Sequence, residues 1–198
     1  MDNQQESNTT DLVSASDLAW LAGIIEGEGS MTLDVKPPRS GRRSARFDLV
    51  ICNTDTALIE ACLEIIDKMK VAHYINERSQ PPFYRGENGD LKLREERKSA
   101  LYIHIRKLSS VAIILGQLLP YFRGDKKHKA NVMMRFVTAR LRKNEMSHNA
   151  PYDSEDWMTI IEFYKAPGGS YRVSKRRIKE VETILRDYTP NDPHLGLR

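Results

Sequence analysis

Apolar and polar residues alternate over residues 30–36 and again over residues 44–53. A period of two is typical of strands that bury one face and expose the other. Between the two segments, the prolines, serine and glycine of residues 37–41 interrupt the pattern. The sequence therefore predicts a long hairpin whose outward face is polar and partly basic.

Helical patterns occupy most of the remaining chain. Ser14 or Ser16 can cap a first helix over residues 18–26, which Gly27 and Gly29 would end. Further helices are predicted over residues 56–70, 109–119, 126–142, 153–164 and 174–187, and two more strands over 72–79 and 99–106. The charged stretch 80–98, with paired prolines and two glycines, predicts a long, mobile hairpin loop.

This order of elements predicts an α+β fold: a helix-strand-strand-helix-strand-strand-helix core with a four-stranded, saddle-like antiparallel sheet, followed by C-terminal helices. Residues 14–143 would form the core, 144–198 a C-terminal helical extension, and the polar residues 1–13 a disordered leader. Helices on one face would leave the other face of the sheet bare. Its side chains suit polar recognition better than a core, and they are Thr32, Asp34, Lys36, Arg46, Asp48, Arg78, Tyr102, His104 and Arg106.

The formal net charge is only +4, but the basic residues are concentrated in residues 36–46, 123–129 and 175–179. Any one of these groups could be a solvated surface. Three together favour a polyanionic partner such as nucleic acid.

Several classes of protein are disfavoured by simple features. No apolar run approaches the roughly 20 residues of a membrane span, and the N-terminus lacks a secretory signal. Cys52 and Cys62 lie in apolar stretches without zinc or redox spacing, so we expect reduced core residues. The expected location is cytoplasmic, organellar or nucleoid rather than secreted.

Residues 21–30, Leu-Ala-Gly-Ile-Ile-Glu-Gly-Glu-Gly-Ser, are the most informative segment. Gly23 and Gly27 lie one turn apart and, with Ala19, give the first helix a flat side that a second helix could approach closely. Because no second copy of the pattern occurs, any symmetry must come from a second molecule. Two close copies of Glu28 would then repel unless a cation lay between them, and oxygen ligands favour Mg²⁺ or Mn²⁺.

An isolated Gly-Glu-Gly is more often an ordinary helix end with exposed acids. The longer segment, however, resembles the signature of the LAGLIDADG homing endonucleases, and the order of elements is similar over residues 18–131. That resemblance implies a homodimer, since the motif occurs once, with Glu28 and the Gly27 carbonyl as metal ligands. Both Glu26 and Glu28 replace an Asp of the family name, and Glu is an accepted variant at the ligand position.

Two further positions match family roles. Asn53 lies where the family places a polar residue that orients water, although Asn53 and Asp55 are also placed to cap the next helix. Residues 120–131 resemble the segment that delivers an active-site lysine, with Lys126 aligning best and Lys127 as the other candidate. Such a lysine can polarise the attacking water or stabilise charge on the phosphate. Alternatively, these lysines contact only DNA phosphates.

The resemblance implies a metal-dependent endonuclease that makes staggered cuts in both strands of a long, nearly palindromic DNA site. A ribbon of strands fits the major groove, where Arg46 and Arg78 suit guanine edges and Asp34 and Asp48 suit cytosine amino groups. Bases or phosphates near the outer part of the site would be contacted by Lys36, Arg39, Arg42 and Arg43.

A protein on the same scaffold could instead bind nucleic acid without cutting it, as an intron-splicing maturase or a transcription regulator, which makes intron RNA a second possible partner. A metabolic enzyme is disfavoured because no nucleotide-cradling loop, metal-spaced His/Cys set or nucleophile motif is present. The C-terminal helices could buttress the domain or extend the phosphate contacts through Lys175, Arg176, Arg177 and Lys179.

Overall fold

The structure is a computed structural model that describes residues 13–39, 42–78, 83–85, 90–93, 99–147, 150–167 and 171–187. The helices are α1 (Ala15–Glu28), α2 (Thr56–Lys68), α3 (Leu108–Leu118), α4 (Asp125–Met146), α5 (Ser154–Lys165) and α6 (Tyr171–Arg186). The strands are β1 (Gly29–Arg39), β2 (Arg42–Asn53), β3 (Tyr74–Arg78), β4 (Phe83–Arg85), β5 (Leu91–Leu93) and β6 (Ala100–Ile105). Apart from Val13, the predicted leader lies outside the described residues.

Four strands form one antiparallel sheet in the order β1-β2-β6-β3, which confirms the predicted α+β architecture. In the β1–β2 hairpin Met31 pairs with Leu49 on the buried face, and Thr32 pairs with Asp48 on the opposite face. The helices pack on the buried face, as the alternating pattern predicts. The opposite face, called the open face below, carries the polar positions.

Side-chain caps begin three of the described helices, α1, α2 and α5, and at α5 the Asp153 carboxylate accepts the backbone N–H of Asp156. The backbone N–H of Asp17 donates to Ser14 Oγ at 3.1 Å, so Ser14 rather than Ser16 caps α1. The Asp55 carboxylate accepts the backbone N–H groups of Ala57 and Leu58 and caps α2. The end of α1 differs from the sequence prediction, because the helix continues through Gly27 to Glu28.

Two other predictions are corrected by the structure. Strand β1 continues to Arg39 through both prolines, and a shift in register between Lys36 and Arg39 accommodates them. The stretch predicted as a long loop contains a second, two-stranded sheet of β4 and β5. Each of these strands has only three residues, too few for an alternating pattern to be visible among charged neighbours.

The core is continuous from the sheet to the C-terminal helices. Phe47 of β2 lies 4.5 Å from Phe136 of α4 and 5.7 Å from Phe163 of α5, measured between ring centroids. Trp157 of α5 and Val181 of α6 are buried in the same cluster. Helix α4 runs across the predicted boundary at 143/144. Because α5 and α6 contribute side chains to the same core, they buttress the domain. The boundary itself stays a prediction.

A buried group of charges joins α4 to α5. Arg140 Nη1 donates to Asp156 Oδ2 at 3.0 Å, and the two side chains are only 3% and 1% exposed. Lys143 donates to Asp156 Oδ1 at 3.0 Å, and the Asp153 N–H donates to Asp156 Oδ2 at 3.2 Å. Arg140 also donates to the backbone carbonyls of Ala150 and Pro151. Every charge at this junction therefore has a partner.

The cysteines only partly match expectation. Cys62 is buried, and burial raises the pKa of its thiol to about 11. Cys52 is half-buried on the open face, opposite Tyr102 in β6, rather than in the core. None of the described helices is both long enough and apolar enough to cross a membrane.

Candidate functional site

Glu28 is the last residue of α1, and its side chain is exposed. Within the described ranges its carboxylate makes no hydrogen bond or ion pair. The backbone enters β1 at Gly29, which pairs with Ile51 of β2. The carboxylate therefore lies at the end of the sheet where helix and strand meet.

Lys126, in the first turn of α4, caps the C-terminal end of α1. Its Nζ donates to the carbonyl oxygens of Ile25 at 2.8 Å, Glu26 at 2.7 Å and Gly29 at 2.6 Å. A cation at this end compensates the helix dipole and satisfies carbonyls that have no partner within the helix. Burial lowers the pKa of Lys126, and the charges of Glu26 and Glu28 oppose that shift.

Glu26 makes the complementary contact with the segment that precedes α4. Its Oε1 accepts the backbone N–H groups of Arg123 at 2.8 Å and Gly124 at 2.7 Å. The N-cap of α4 is Gly124, which has no side chain to cap the helix. Glu26 was missed as a site residue by sequence reasoning, because its partners lie 97 and 98 residues away and no local pattern marks them.

The other candidate lysine, Lys127, is half-buried in the first turn of α4. Its backbone N–H donates to the Gly124 carbonyl at 3.0 Å. In contrast to Lys126, its side chain makes no hydrogen bond or ion pair with any described residue. The two lysines left open by the sequence therefore differ clearly in their surroundings.

Asn53 ends β2, two residues beyond the partner of Gly29, so the hairpin brings it to the same end of the sheet as Glu28. Its Oδ1 accepts the backbone N–H of Asp55 at 2.9 Å. Both Asn53 and Asp55 thus take part in starting α2. The Asn53 amide nitrogen makes no hydrogen bond with a described group.

One side of α1 is flat and exposed. A methyl group added at Gly23 or Gly27 would meet no atom within 4 Å. Ala19 is exposed on the same side, and Trp20 next to it is 41% exposed. A large aromatic side chain beside three small residues gives this surface both an anchor and room for close approach.

The open face is less bare than the sequence predicts. Asp48 and His104 are only 7% and 4% exposed, because their side chains pair with each other and with Arg106. His104 Nδ1 lies 3.0 Å from Asp48 Oδ2, and Arg106 Nε donates to the same oxygen at 2.7 Å. Tyr74, which sequence reasoning missed, stacks on His104 with 4.6 Å between the ring centroids. The Arg106 guanidinium lies 4.5 Å from the centroid of the Tyr74 ring.

The outer parts of this face differ from its centre. Arg46 and Arg78 are exposed, and the Arg78 guanidinium lies 5.0 Å from the Tyr102 ring centroid. Thr32 is exposed and donates to the Asp48 carbonyl at 3.3 Å. Arg43 is half-buried, whereas the side chains of Arg39 and Arg42 lie outside the described residues.

Asp34 is held by basic partners rather than standing free. It pairs with Lys36 in the same strand, and Arg177 Nη2 of α6 donates to its Oδ1 at 2.9 Å. These cations, with the hydrogen bond from Lys36 as the largest influence, hold the pKa of Asp34 below its usual value of 3.8. Of the basic residues of α6, Arg177 therefore faces the sheet, while Lys175, Arg176 and Lys179 are exposed.

The donor chemistry at the end of α1 suits a hard divalent cation, since a carboxylate and a backbone carbonyl both offer oxygen. The described part of one chain, however, contains no group of three or more His, Cys, Asp or Glu side chains that could hold a metal. A metal beside Glu28 would therefore need ligands other than a cluster of such side chains from the described residues.

No protein-family model and no curated protein matches the sequence. Solved structures do match. The homing endonuclease I-TnaI aligns with a TM-score of 0.55 at 14% identity, over 83% of this chain and 97% of that one. The LAGLIDADG meganuclease I-CpaMI bound to uncleaved DNA aligns with a TM-score of 0.54 at 10% identity, over 84% and 51%.

A third match is the LAGLIDADG homing endonuclease I-SmaMI bound to cleaved DNA, with a TM-score of 0.53 at 11% identity, over 88% of this chain and 49% of that one. The chain thus spans nearly all of I-TnaI and about half of the other two proteins. At these identities the likeness concerns the fold. The chain has the fold of the LAGLIDADG homing endonucleases, as the motif at residues 21–30 predicts.

Proposed function

We propose that this chain is a sequence-specific endonuclease that acts as a homodimer on a long, nearly palindromic site in double-stranded DNA and depends on Mg²⁺ or Mn²⁺. The observation that carries the proposal is the exposed Glu28 carboxylate. It lies at the foot of a flat helix side and at one end of a partly basic open face. No described group of the chain forms a hydrogen bond or an ion pair with this carboxylate.

The flat side of α1 supports a second copy of this chain as partner. Two such helices can approach closely where Gly23 and Gly27 carry no side chains, and Trp20 would add buried aromatic area. The twofold relation would bring two copies of Glu28 together. The chain spans nearly the whole of I-TnaI but about half of I-SmaMI, which is consistent with a unit that works in pairs.

The chemistry follows from what surrounds Glu28. A bound divalent cation would polarise the scissile phosphate and make a nucleophile available from water. Glu28 and the Gly27 carbonyl would hold it, together with the second Glu28 and phosphate oxygens. The amide nitrogen of Asn53 lies at the same end of the sheet and makes no hydrogen bond with a described group, so it is suited to orienting the attacking water. A lysine at the start of α4 would stabilise the developing negative charge on the phosphate.

The open face is the proposed DNA interface. Its exposed arginines, Arg46 and Arg78, suit guanine edges in the major groove. Further contacts are proposed for Thr32, Lys36, Arg39, Arg42, Arg43 and Tyr102. Because Asp48, His104 and Arg106 pair with one another, we expect them chiefly to support the centre of this face, and Asp34 to contact DNA only if it leaves Arg177.

The test begins with selection of bound sites from a random double-stranded DNA library in Ca²⁺, followed by cleavage of those sites in Mg²⁺ or Mn²⁺. We expect the wild type to cut both strands with a short stagger. Glu28→Gln should bind the same sites within a few-fold but cut them about a thousandfold more slowly, since metal stabilisation is typically several kcal/mol.

Two results would contradict the proposal. A wild-type protein that selects discrete sites but never cuts them would be a non-cutting binder, as a maturase or regulator would be. A Glu28→Gln variant that cuts as fast as the wild type would show that Glu28 does not hold the metal. Asp67→Asn, an exposed acid on α2, is the matched control and should change neither binding nor cutting.

A further inference from the structure

Helices α1 and α4 hold each other through charged groups exchanged in both directions. The Glu26 carboxylate of α1 accepts two backbone N–H groups at the start of α4, from Arg123 and Gly124. The Lys126 ammonium of α4 donates to three backbone carbonyls at the end of α1. We call these five hydrogen bonds the α1–α4 clamp. Each charged side chain caps the oppositely polarised end of the other helix.

Clamp contacts flank the two proposed metal ligands, Gly27 and Glu28, on both sides in the sequence. Lys126 binds the carbonyls of Glu26 and Gly29, which lie on either side of Gly27 and Glu28. The backbone that carries both proposed ligand oxygens is therefore fixed at each of its ends. Metal sites depend on ligand positions set to within fractions of an ångström by such supporting contacts.

The ammonium of Lys126 is also fully used. An ammonium has three donor hydrogens, and three carbonyl oxygens lie at 2.6 to 2.8 Å from Nζ. Moving Lys126 to a phosphate would leave those carbonyls without a donor at a half-buried helix end. The side chain of Lys127, one residue further on, makes no hydrogen bond with any described group.

We propose that Glu26 and Lys126 are positioning residues that set the metal ligands through the α1–α4 clamp. This inference rests on the proposed endonuclease function. Loss of the clamp should weaken metal binding and leave the cleavage rate at saturating metal nearly unchanged.

The experiment measures single-turnover cleavage of the selected site against Mg²⁺ concentration, together with binding of Mn²⁺ to the protein–DNA complex by electron paramagnetic resonance. Glu26→Gln and Lys126→Met should each raise the half-saturating metal concentration at least about fivefold in both measurements. Their rates at saturating metal should stay within about threefold of wild type. The double variant should raise it by less than the product of the two single effects, because both changes weaken the same clamp.

Lys127→Met removes a half-buried lysine of the same turn that makes no clamp contact, and it should leave metal affinity unchanged. Lys126→Arg keeps a cationic donor and should restore metal affinity to within about twofold. Should Lys126→Met fail to fold, Glu26→Gln and Lys126→Arg still decide the matter. Lys68→Met, an exposed lysine of α2, is the control for loss of a positive charge.

Hydrogen exchange at the Arg123 and Gly124 amides tests the clamp without any cleavage. These amides should exchange at least about tenfold faster in Glu26→Gln than in wild type. Their exchange should be unchanged in the control Glu64→Gln, which alters an exposed acid of α2. A wild type that protects these amides but cuts no DNA would refute the endonuclease, not the clamp. Unprotected amides, or a Lys126→Met variant with a hundredfold lower saturating rate and normal metal affinity, would overturn the clamp proposal.

Discussion

The two ends of α4 use charged residues in opposite ways. At its C-terminal end, Arg140 and Lys143 meet Asp156 in a junction where Arg140 and Asp156 are almost fully buried and every charge has a partner. At its N-terminal end, Lys126 and Glu26 are paired, but the adjacent Glu28 is left exposed and makes no ion pair with a described residue. The C-terminal end of α4 therefore lies in a closed junction, in which every charge is paired. Its N-terminal end lies in an open junction, in which Glu28 has no ion pair with a described residue.

The difference separates stability from function in physical terms. A buried carboxylate without a partner is strongly destabilising, so the closed junction can keep Asp156 only because three donors surround it. An exposed carboxylate costs little, since water solvates it. Glu28 can therefore remain available for a cation at almost no cost to folding, provided that nearby groups hold its backbone.

The largest expected effect comes from making the same change, acid to amide, at both junctions. Asp156→Asn leaves the buried Arg140 without its charge partner and should lower the free energy of unfolding by about 3 kcal/mol or more. Glu28→Gln should change it by less than about 0.5 kcal/mol. Urea unfolding monitored by circular dichroism measures both, and equal effects would remove the distinction between the junctions.

A second pair of variants compares Gly29, at the end of α1, with Gly23, on the flat side of the same helix. A methyl group at Gly29 would lie 2.7 Å from the Ile25 carbonyl oxygen, so Gly29→Ala should destabilise the fold by roughly 1–3 kcal/mol. At Gly23 the same methyl group meets nothing within 4 Å. Gly23→Leu should leave the free energy of unfolding of a single chain unchanged or raise it slightly, because leucine favours helix more than glycine does.

The same Gly23→Leu variant should nevertheless disrupt the proposed dimer, since its side chain would separate the two α1 helices. Sedimentation velocity measures the change in self-association, with Gly29→Ala as the comparison. A Gly23→Leu protein that associates as tightly as wild type would place the dimer interface elsewhere on the molecule.

Local patterns were sufficient to predict much of this molecule. Strand alternation predicts the hairpin, and the motif at residues 21–30 predicts the fold and the position of Glu28. Contacts between distant segments could not be predicted in this way. Nothing near Glu26 indicates that it binds backbone groups of Arg123 and Gly124, and nothing near Asp48 indicates that His104 and Arg106 cover it.

The pairing of Asp48 with His104 and Arg106 gives the third comparison, between an exposed and a covered residue of the open face. Arg46→Ala should relax discrimination at one position of the selected DNA site by about 1–3 kcal/mol, the usual contribution of an arginine that reads guanine. Asp48→Asn should spread smaller changes over several positions, because it loosens His104 and Arg106 rather than removing one contact. Site selection repeated with each variant measures both, and a single-position change in Asp48→Asn would make Asp48 a direct reader.

The smallest expected effect concerns the contact of α6 with the edge of the open face, and it depends on pH. The pKa of Asp34 is lowered in the folded protein by Lys36 and Arg177, so this contact stabilises the fold above the ordinary value of 3.8 and is lost as the pH falls through the lowered value. The gain should stay below about 1 kcal/mol, because the Asp34 side chain is 37% exposed and water screens the pair. Thermal unfolding should therefore show Asp34→Asn slightly less stable than wild type near neutral pH, with the difference vanishing in strong acid. A difference that persists below the lowered pKa, or that equals the effect of Glu64→Gln, would mean that the Asp34 ion pairs do not hold α6 against the sheet.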